Sequence, residues 1–398
     1  MNQLPDRVAI SKSFAAYSNL GPTWDANWEG FVSQARPFVP VQTIFPDWPE
    51  CPPVSAVLDF GHFEGQPIYS ERLSSMMRVV GTDLRKAVED LLKKNPRARV
   101  FVMMTSSGGD AGFVTAKVDS EFNPKGPSEP VTRRVLAGLA GFRWEEPLFE
   151  GLGRTLPVTS FFAACASSLV AVSYATDRIN AGLADAVIVV AADILSRFAC
   201  QGFKNVGANA SNGVKPYDRN RDGTTVGEGA IGLLLARDEL LVEGQVAGYV
   251  AGTAMYCDAA HLVEPNAQGV AQVVHTALDL ARVQTKDVRA VYWHGTGTRQ
   301  NDAREAEVSL IVFGEKSPPS TSTKGNLGHT MGASGGFNVM AACETLARGI
   351  VPPVAGTEDL EYPNLDIVLG AAREVEPGPV LITALGFGGI NAAVVLTK

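Results

Sequence analysis

The chain has 398 residues, 45% hydrophobic and 19% charged, with 34 basic against 42 acidic side chains and a formal charge of −8. That length suits one or two sizeable cores, and 40 glycines with 24 prolines fall short of a low-complexity composition. The acidic balance argues against a general nucleic-acid binder, which needs a cationic footprint. Five cysteines, at positions 51, 165, 200, 257 and 343, form no CxxC pair and suit neither a disulfide framework nor a zinc site. Reduced thiols in a cytoplasm are the expectation. The amino terminus, MNQLPDRVAISKSF, lacks the apolar run of an export signal. The charge-free stretch from Thr155 to Thr176 is long enough to span a bilayer, but its many Ser and Thr residues and Pro157 mark it as soluble core. No membrane partner is expected.

Short runs rich in β-branched residues recur between helical patterns, the signature of buried parallel or mixed strands in an α/β protein. In chain order the pattern predicts a helix from Ser74 to Lys94 and a strand from Val100 to Met104. A helix from Ser167 to Ala181 follows, then strands from Ala186 to Ala191 and Ile231 to Ala236. Beyond these come a helix from Val270 to Ala281, a strand from Ala290 to Trp293 and a helix from Gly336 to Arg348. Strands from Val380 to Leu385 and Ala392 to Leu396, joined through GFGG, close the chain. The polar stretches Asn123 to Val131 and Glu315 to Thr323 are short enough to be loops of one compact fold. PVTSFFAACASSLVAVSYATDRINAG and PSTSTKGNLGHTMGASGGFNVMAACETLARG echo each other. Each runs from Pro through a Ser/Thr-rich strand into a small-residue helix ending at Gly, which implies two similarly folded halves meeting near residue 240.

Cys165 sits in AACASSL, among small side chains at the predicted start of a helix. A helix N-terminus carries partial positive charge and free N–H groups, which lower a thiol's pKa and bind an oxyanion. A lone cysteine is more often an inert core residue, the reading given to Cys51, Cys200, Cys257 and Cys343. His294, in WHGTGT, and His329, in KGNLGHTMGASGG, each follow a strand-like element and are flanked by glycines. Each imidazole can then project from a sheet end with little crowding. A cysteine with two histidines from distant sequence is what acyl exchange between sulfur and carbon needs. His62, His261 and His275 are read as structural.

Five blocks then stand out in order: ACASS around Cys165, PYDRNRDGTTVGEGA from Pro216 to Ala230, HGTGTRQNDAREAE from His294 to Glu307, KGNLGHTMGASGG from Lys324 to Gly336, and GFGGIN from Gly386 to Asn391. Together they resemble the signature blocks of the β-ketoacyl-acyl-carrier-protein synthases; the first 150 residues resemble that family loosely. The resemblance implies a thiolase-like α/β fold, a five-layered α-β-α-β-α sandwich of two duplicated halves, here 1–240 with the nucleophile and 241–398 with the catalytic His, Lys and His. It implies that Cys165 is the acyl-accepting nucleophile and that His294 and His329 drive loss of CO2 from a malonyl-type thioester. It makes Lys324 the organiser of the second histidine and Phe387 the gating aromatic whose N–H joins that of Cys165 in the oxyanion hole. No metal or other cofactor is implied. HGTGT lacks the GxGxxG spacing, and KGNLGH is not a GxxxxGK phosphate loop.

The second half-reaction leaves an enolate, which neutral imidazoles with N–H groups aimed at its oxygen stabilise without protonating the carbanion. PYDRNRDG and Gly227 to Gly229 are read as architectural, and Asp302 and Glu305 as buried electrostatic partners of the histidines. Three departures from the family pattern bear on substrate range and electrostatics. Asn338 stands where a glutamate usually balances the lysine, Ile390 replaces the threonine of GFGGTN, and Ala163 replaces a threonine two residues before the cysteine. They favour a polyketide-type relative over a housekeeping fatty-acid enzyme. The implied partners are acyl- and malonyl-loaded acyl carrier protein, and a second copy or a second ketosynthase-like chain in a dimer. An acidic carrier needs a local cationic dock, for which the candidates are Arg72 and Arg78, the run Arg85, Lys86, Lys93, Lys94, Arg97 and Arg99, and Lys204, Lys215, Arg219 and Arg221. Two other readings stay open: a chain-length-setting, non-catalytic partner of a second ketosynthase, and a non-decarboxylating acyltransferase or thioester hydrolase.

Overall fold

The structure, a computed structural model, describes residues 7–49, 52–58, 69–108, 152 and 155–398. The loop expected at 123–131, Cys51 and His62 lie outside these residues, as do the side chains of Arg72 and Arg78. The strands are β1 (Val8–Ser11), β2 (Ala15–Ser18), β3 (Val39–Pro40), β4 (Pro53–Val54), β5 (Val100–Thr105), β6 (Val158–Phe161), β7 (Ala186–Asp193), β8 (Gly229–Arg237), β9 (Val246–Cys257), β10 (Ala290–Tyr292), β11 (Ser320–Thr321), β12 (Ile350–Val351), β13 (Arg373–Glu374), β14 (Val380–Gly386) and β15 (Ile390–Thr397). The helices are α1 (Trp24–Val32), α2 (Tyr69–Lys94), α3 (Ser167–Asn180), α4 (Arg197–Asn205), α5 (Ala267–Ala281), α6 (Arg299–Phe313), α7 (Lys324–Leu327) and α8 (Ser334–Arg348).

The duplication expected from the internal echo is written in the strand order. In the first half the sheet runs β6-β5-β7-β8-β1, and in the second β11-β10-β14-β15-β9, so each half places its strands in the order third, second, fourth, fifth, first. The parallel pairs are β6 with β5 and β5 with β7, matched by β11 with β10 and β10 with β14. The antiparallel pairs are β7 with β8 and β14 with β15. Antiparallel pairing of β1 with β9, Ala9 opposite Tyr249, joins the halves edge to edge. β2 continues along β8 beyond the end of β1.

Five layers follow from which faces are apolar. In β7 every residue is buried: Val187, Val189 and Ala191 face one core, and Ala186, Ile188 and Val190 face another. That continuous apolar run is what a strand covered on both faces requires. On one side α2 lays Leu73, Met76, Val80, Leu84, Val88 and Leu91 against the first half-sheet, at the i, i+3, i+4 spacing of a helical stripe. On the far side α5 and α6 cover the second half-sheet with Val270, Val274, Leu278, Val308 and Val312. Between the sheets lie α3 and α8, which contribute Leu169, Val172, Ile179, Phe337, Val339 and Met340 to the central core. Their close approach depends on Gly335 and Gly336. A Cβ at Gly335 would come within 2.9 Å of Ser168 Oγ, and one at Gly336 within 2.5 Å of Ile231.

The expected elements are present, most with ends shifted by a few residues; the first helix begins at Tyr69 rather than Ser74. The stretch from Thr155 to Thr176 is β6 plus most of α3, and β6 is partly exposed rather than core. No helix among the described residues is long and apolar enough to cross a membrane.

Candidate active site

Cys165, His294, His329 and Phe387 line one narrow pocket of about 60 Å³, closed on its sides by Phe203, Ala208, Thr224, Val263 and Leu385 among others. Cys165 lies in the turn between β6 and α3, two residues before the helix begins. Ala164 just ahead of it is held in the left-handed region, φ +47°, a conformation that costs a non-glycine residue roughly 1–3 kcal/mol. Ser167 secures the turn: its hydroxyl donates to the Ala164 carbonyl at 2.6 Å and accepts the Ala163 N–H at 2.9 Å. The backbone N–H groups of Cys165 and Phe387 both act on the sulfur and favour its anion. Burial nevertheless dominates and pushes the thiol up to about 12, opposed by the Lys324 charge and the two N–H groups and reinforced by Asp193. The lowering expected from a helix N-terminus is outweighed by desolvation.

His294 follows β10, and its imidazole is fully enclosed, edge to face with that of His329, the ring centres 5.3 Å apart at 86°. The Lys324 ammonium donates to the His294 carbonyl at 2.5 Å and lies 3.3 Å from His294 Nδ1. An ammonium has no lone pair to offer, so His294 Nδ1 is the acceptor and the ring proton belongs on Nε2. At His329 the Met331 N–H donates to Nδ1 at 3.2 Å, and Ser334 Oγ sits 3.1 Å from the same nitrogen. That ring too carries its proton on Nε2. Burial, with the Lys324 charge adding to it, holds both histidines well below the usual range, so both are neutral near pH 7.

The structure corrects the expectation for Lys324. Its hydrogen bonds go to His294, not to His329; after α7 the chain reverses at Gly328, φ +65°, and carries His329 away from the lysine. Burial lowers Lys324 to about 8, with Glu305 and Asp302 holding it up. Glu305 accepts the His294 and Gly295 N–H groups, each at 2.7 Å, the Tyr217 hydroxyl at 2.9 Å and the Asn301 amide at 2.8 Å. Asp302 accepts the Tyr217 N–H at 2.7 Å and lies 3.5 Å from Arg221 Nε. Both acids are buried, and desolvation raises both. Asn338 does not stand in for an acid: its Oδ1 accepts from Thr323 Oγ1 at 2.8 Å and its Nδ2 donates to the Trp293 carbonyl at 3.3 Å.

Phe387 is half-buried and stacks on Phe203, ring centres 5.9 Å apart, and Phe203 in turn meets His329 edge-on. Sequence reasoning missed Phe203 and Asp193 and read Tyr217 only as part of an architectural block; Asp193 is a buried carboxylate that ends an otherwise apolar strand. Of the remaining cysteines, Cys200 and Cys343 are buried and Cys257 is exposed. His261 and His275 are exposed and outside the pocket wall.

Family models described as "Beta-ketoacyl synthase, N-terminal domain" and "Beta-ketoacyl synthase, C-terminal domain" match residues 72–240 and 247–358. A putative polyketide beta-ketoacyl synthase 1 of Streptomyces halstedii is 35% identical over 352 residues, 79% of this chain and 78% of that protein. The chain belongs to the β-ketoacyl synthase family. The ketoacyl synthase alpha subunit of the tetracenomycin polyketide synthase of Streptomyces glaucescens is 33% identical over 61% of the chain. The match spans 60% of the length of that relative and 62% of a Streptomyces cyaneus polyketide β-ketoacyl synthase. Among solved structures, the ishigamide ketosynthase/chain length factor superposes with a TM-score of 0.85 at 25% identity, covering 99% of this chain and 100% of that one. The fold is thus the thiolase-like sandwich of the ketosynthases.

Proposed function

We propose that this ketosynthase-family chain is a β-ketoacyl-acyl-carrier-protein synthase of polyketide or fatty-acid type, performing decarboxylative condensation. The supporting observation is that two imidazoles, each with Nδ1 committed to a donor, stand beside a buried thiol flanked by two backbone N–H groups. In the first half-reaction Cys165 Sγ attacks the carbonyl carbon of an acyl thioester, the thiol proton leaves with the carrier thiol, and the Cys165 and Phe387 N–H groups hold the oxyanion. In the second, a malonyl thioester loses CO2. The electron pair of the broken C–C bond passes into the enolate, whose oxygen the two Nε2–H groups stabilise. The carbanion then attacks the acyl-cysteine, the C–S bond breaks, and the Cys165 thiolate that leaves takes a proton from solvent to restore the thiol.

Lys324 serves this scheme by fixing the His294 tautomer, and residues 1–240 and 241–398 supply the nucleophile and the histidines respectively. The proposed partners are acyl carrier protein and either a second copy or a second ketosynthase-like chain. The cationic dock narrows. Arg221 is buried, Arg219 pairs with Asp359, and Arg85, Lys93 and Arg99 on the α2 side pair with Glu89, Asp90 and Asp185. Lys204 adjoins pocket-lining Phe203 in sequence, which makes it the candidate tied to the pocket.

The test follows intact mass and products after incubating wild type and Cys165→Ala with acyl and malonyl carrier proteins. Acylation at Cys165, CO2 release and a two-carbon-longer ketoacyl product are expected, with no acylation in the variant. Acylation followed by transfer or hydrolysis alone would make this an acyltransferase. No acylation, with activity appearing only beside a second synthase, would make it a chain-length-setting partner.

A further inference from the structure

Asp193 ends β7 at 1% exposure and lies in none of the five sequence blocks. Its Oδ1 accepts from Ser106 Oγ at 2.6 Å and from the Ser107 and Gly108 N–H groups, each at 3.0 Å. Its Oδ2 accepts from the Ser107 N–H at 3.0 Å, Ser107 Oγ at 3.1 Å and the Gly332 N–H at 2.7 Å. Three of these donor groups are backbone N–H, and the Ser106 hydroxyl already accepts the Gly108 N–H at 3.2 Å, so it donates to the acid. A set made of donors fits the ionised carboxylate, which has acceptor sites and no proton of its own. Burial raises the Asp193 carboxyl above its ordinary value, and the Ser106, Ser107, Gly108 and Gly332 donors pull against that shift without reversing it.

The partners are informative because they come from both halves. Ser106 and Ser107 follow β5, and the Ser106 carbonyl lies 3.2 Å from Ser167 Oγ, whose single proton it shares with the nearer Ala164 carbonyl of the Cys165 turn. Gly332 belongs to the turn after His329, whose neighbour Met331 sits at φ +49° and donates to His329 Nδ1. A Cβ at Gly332 would lie 2.8 Å from Asp193 Oδ2, so the contact requires glycine there. An unbroken series of hydrogen bonds thus runs from the nucleophile turn through Ser167, Ser106 and Asp193 to the His329 turn. We propose that Asp193 is a positioning residue that fixes the Cys165 turn of the first half against the His329 turn of the second. When ionised, Asp193 adds to the burial that keeps the Cys165 thiol protonated. The inference rests on the condensing function proposed above.

Asp193→Asn tests it with two readouts. The amide nitrogen cannot accept, so in either orientation one group of donors loses its partner, while the negative charge near Cys165 disappears. Alkylation of Cys165 by iodoacetamide at fixed pH should quicken severalfold as the charge that raises the thiol is lost. CO2 release from malonyl carrier protein should fall by about tenfold or more. A merely structural role would slow both. Parallel loss of both, or no change in either, overturns the proposal. If Asp193→Asn does not fold, Ser106→Ala removes one donor from the same joint; it should lower CO2 release severalfold, and unchanged release overturns the proposal. Wild type that is alkylated at Cys165 yet never releases CO2 would refute the condensing function, and the alkylation rates of wild type and Asp193→Asn would still decide on Asp193.

Discussion

Under the proposed condensation, replacing Lys324 by Met should separate the two half-reactions. The ammonium reaches two atoms of His294, the carbonyl at 2.5 Å and Nδ1 at 3.3 Å, and Met offers neither a donor nor a charge. Without it nothing pins the ring proton to Nε2, and the enolate loses a donor, a loss of about 10²–10³ in rate. Removing a buried cation costs up to about 3–5 kcal/mol where it leaves a buried acid without its pair, and Lys324 is tied to Glu305 only through charge. Here the cost is reduced, because Glu305 keeps four donors and its carboxyl is already raised toward the neutral form. The variant should therefore fold with a lowered Tm. The assay pairs CO2 release from malonyl carrier protein with intact-mass acylation of Cys165. CO2 release should drop about 10²-fold or more while acylation changes by less than about tenfold, since Lys324 acts on the thiol through charge alone. Equal losses in both would mean that the lysine works through the thiol, and no loss in either would refute the tautomer argument.

The same geometry sets the pH response. Lys324, at about 8 against an ordinary 10.5, loses its proton as pH rises through about 8, so CO2 release should decline above that point. Cys165, at about 12, should acylate faster over the same range; initial rates of the two half-reactions from pH 6.5 to 10 should diverge, and parallel profiles would count against this assignment. Asn338→Asp removes the donor to the Trp293 carbonyl and places a negative charge against Thr323, the residue before Lys324, which should raise the lysine. The alkaline limb of CO2 release should move upward and the rate at pH 7 fall severalfold; an unmoved limb would show that residue 338 does not act on the lysine.

How much of this could be read from the residues depended on whether local pattern and tertiary environment agreed. The buried strands β7, β8 and β14 were legible because both of their faces are apolar, and α2 because its stripe is regular. β9 was not. Gly248 and Gly252 interrupt its alternation, and a Cβ at Gly252 would meet the Ala277 carbonyl at 2.3 Å, so the close packing of α5 requires the residue that hides the strand. α6 was hidden for a different reason: Asp302 and Glu305 are buried, and a helix that buries its acids loses the polarity contrast that marks a face. At the site, Cys165, His294, His329, Lys324 and Phe387 stood in recognisable blocks. The direction of Lys324's hydrogen bonds did not, since it is decided by the reversal at Gly328 and by His294, thirty residues upstream. Asp193 left one faint signal, an acid closing a strand with no other polar residue.

The duplication explains why the nucleophile and a histidine meet at all. In each half the third strand leads toward a helix of the central layer, β6 through a turn into α3, and β11 by way of α7 and the His329 turn into α8. Each turn holds a non-glycine residue in the left-handed region, Ala164 beside Cys165 and Met331 two residues after His329. The paired helices touch through Gly336 N–H and Ser168 Oγ at 2.8 Å, which brings their N-terminal turns to one place. The first turn presents a thiol and the second an imidazole. Burial at that junction works in opposite directions on their protons, keeping the thiol protonated and both histidines neutral. A resting thiol with a pKa near 12 carries little thiolate at neutral pH, so its deprotonation must accompany attack on a bound thioester. Acylation should then depend on the Cys165 and Phe387 N–H groups being in place when the proton leaves, which ties the first half-reaction to the Gly386 to Gly389 turn as closely as Lys324 ties the second to His294.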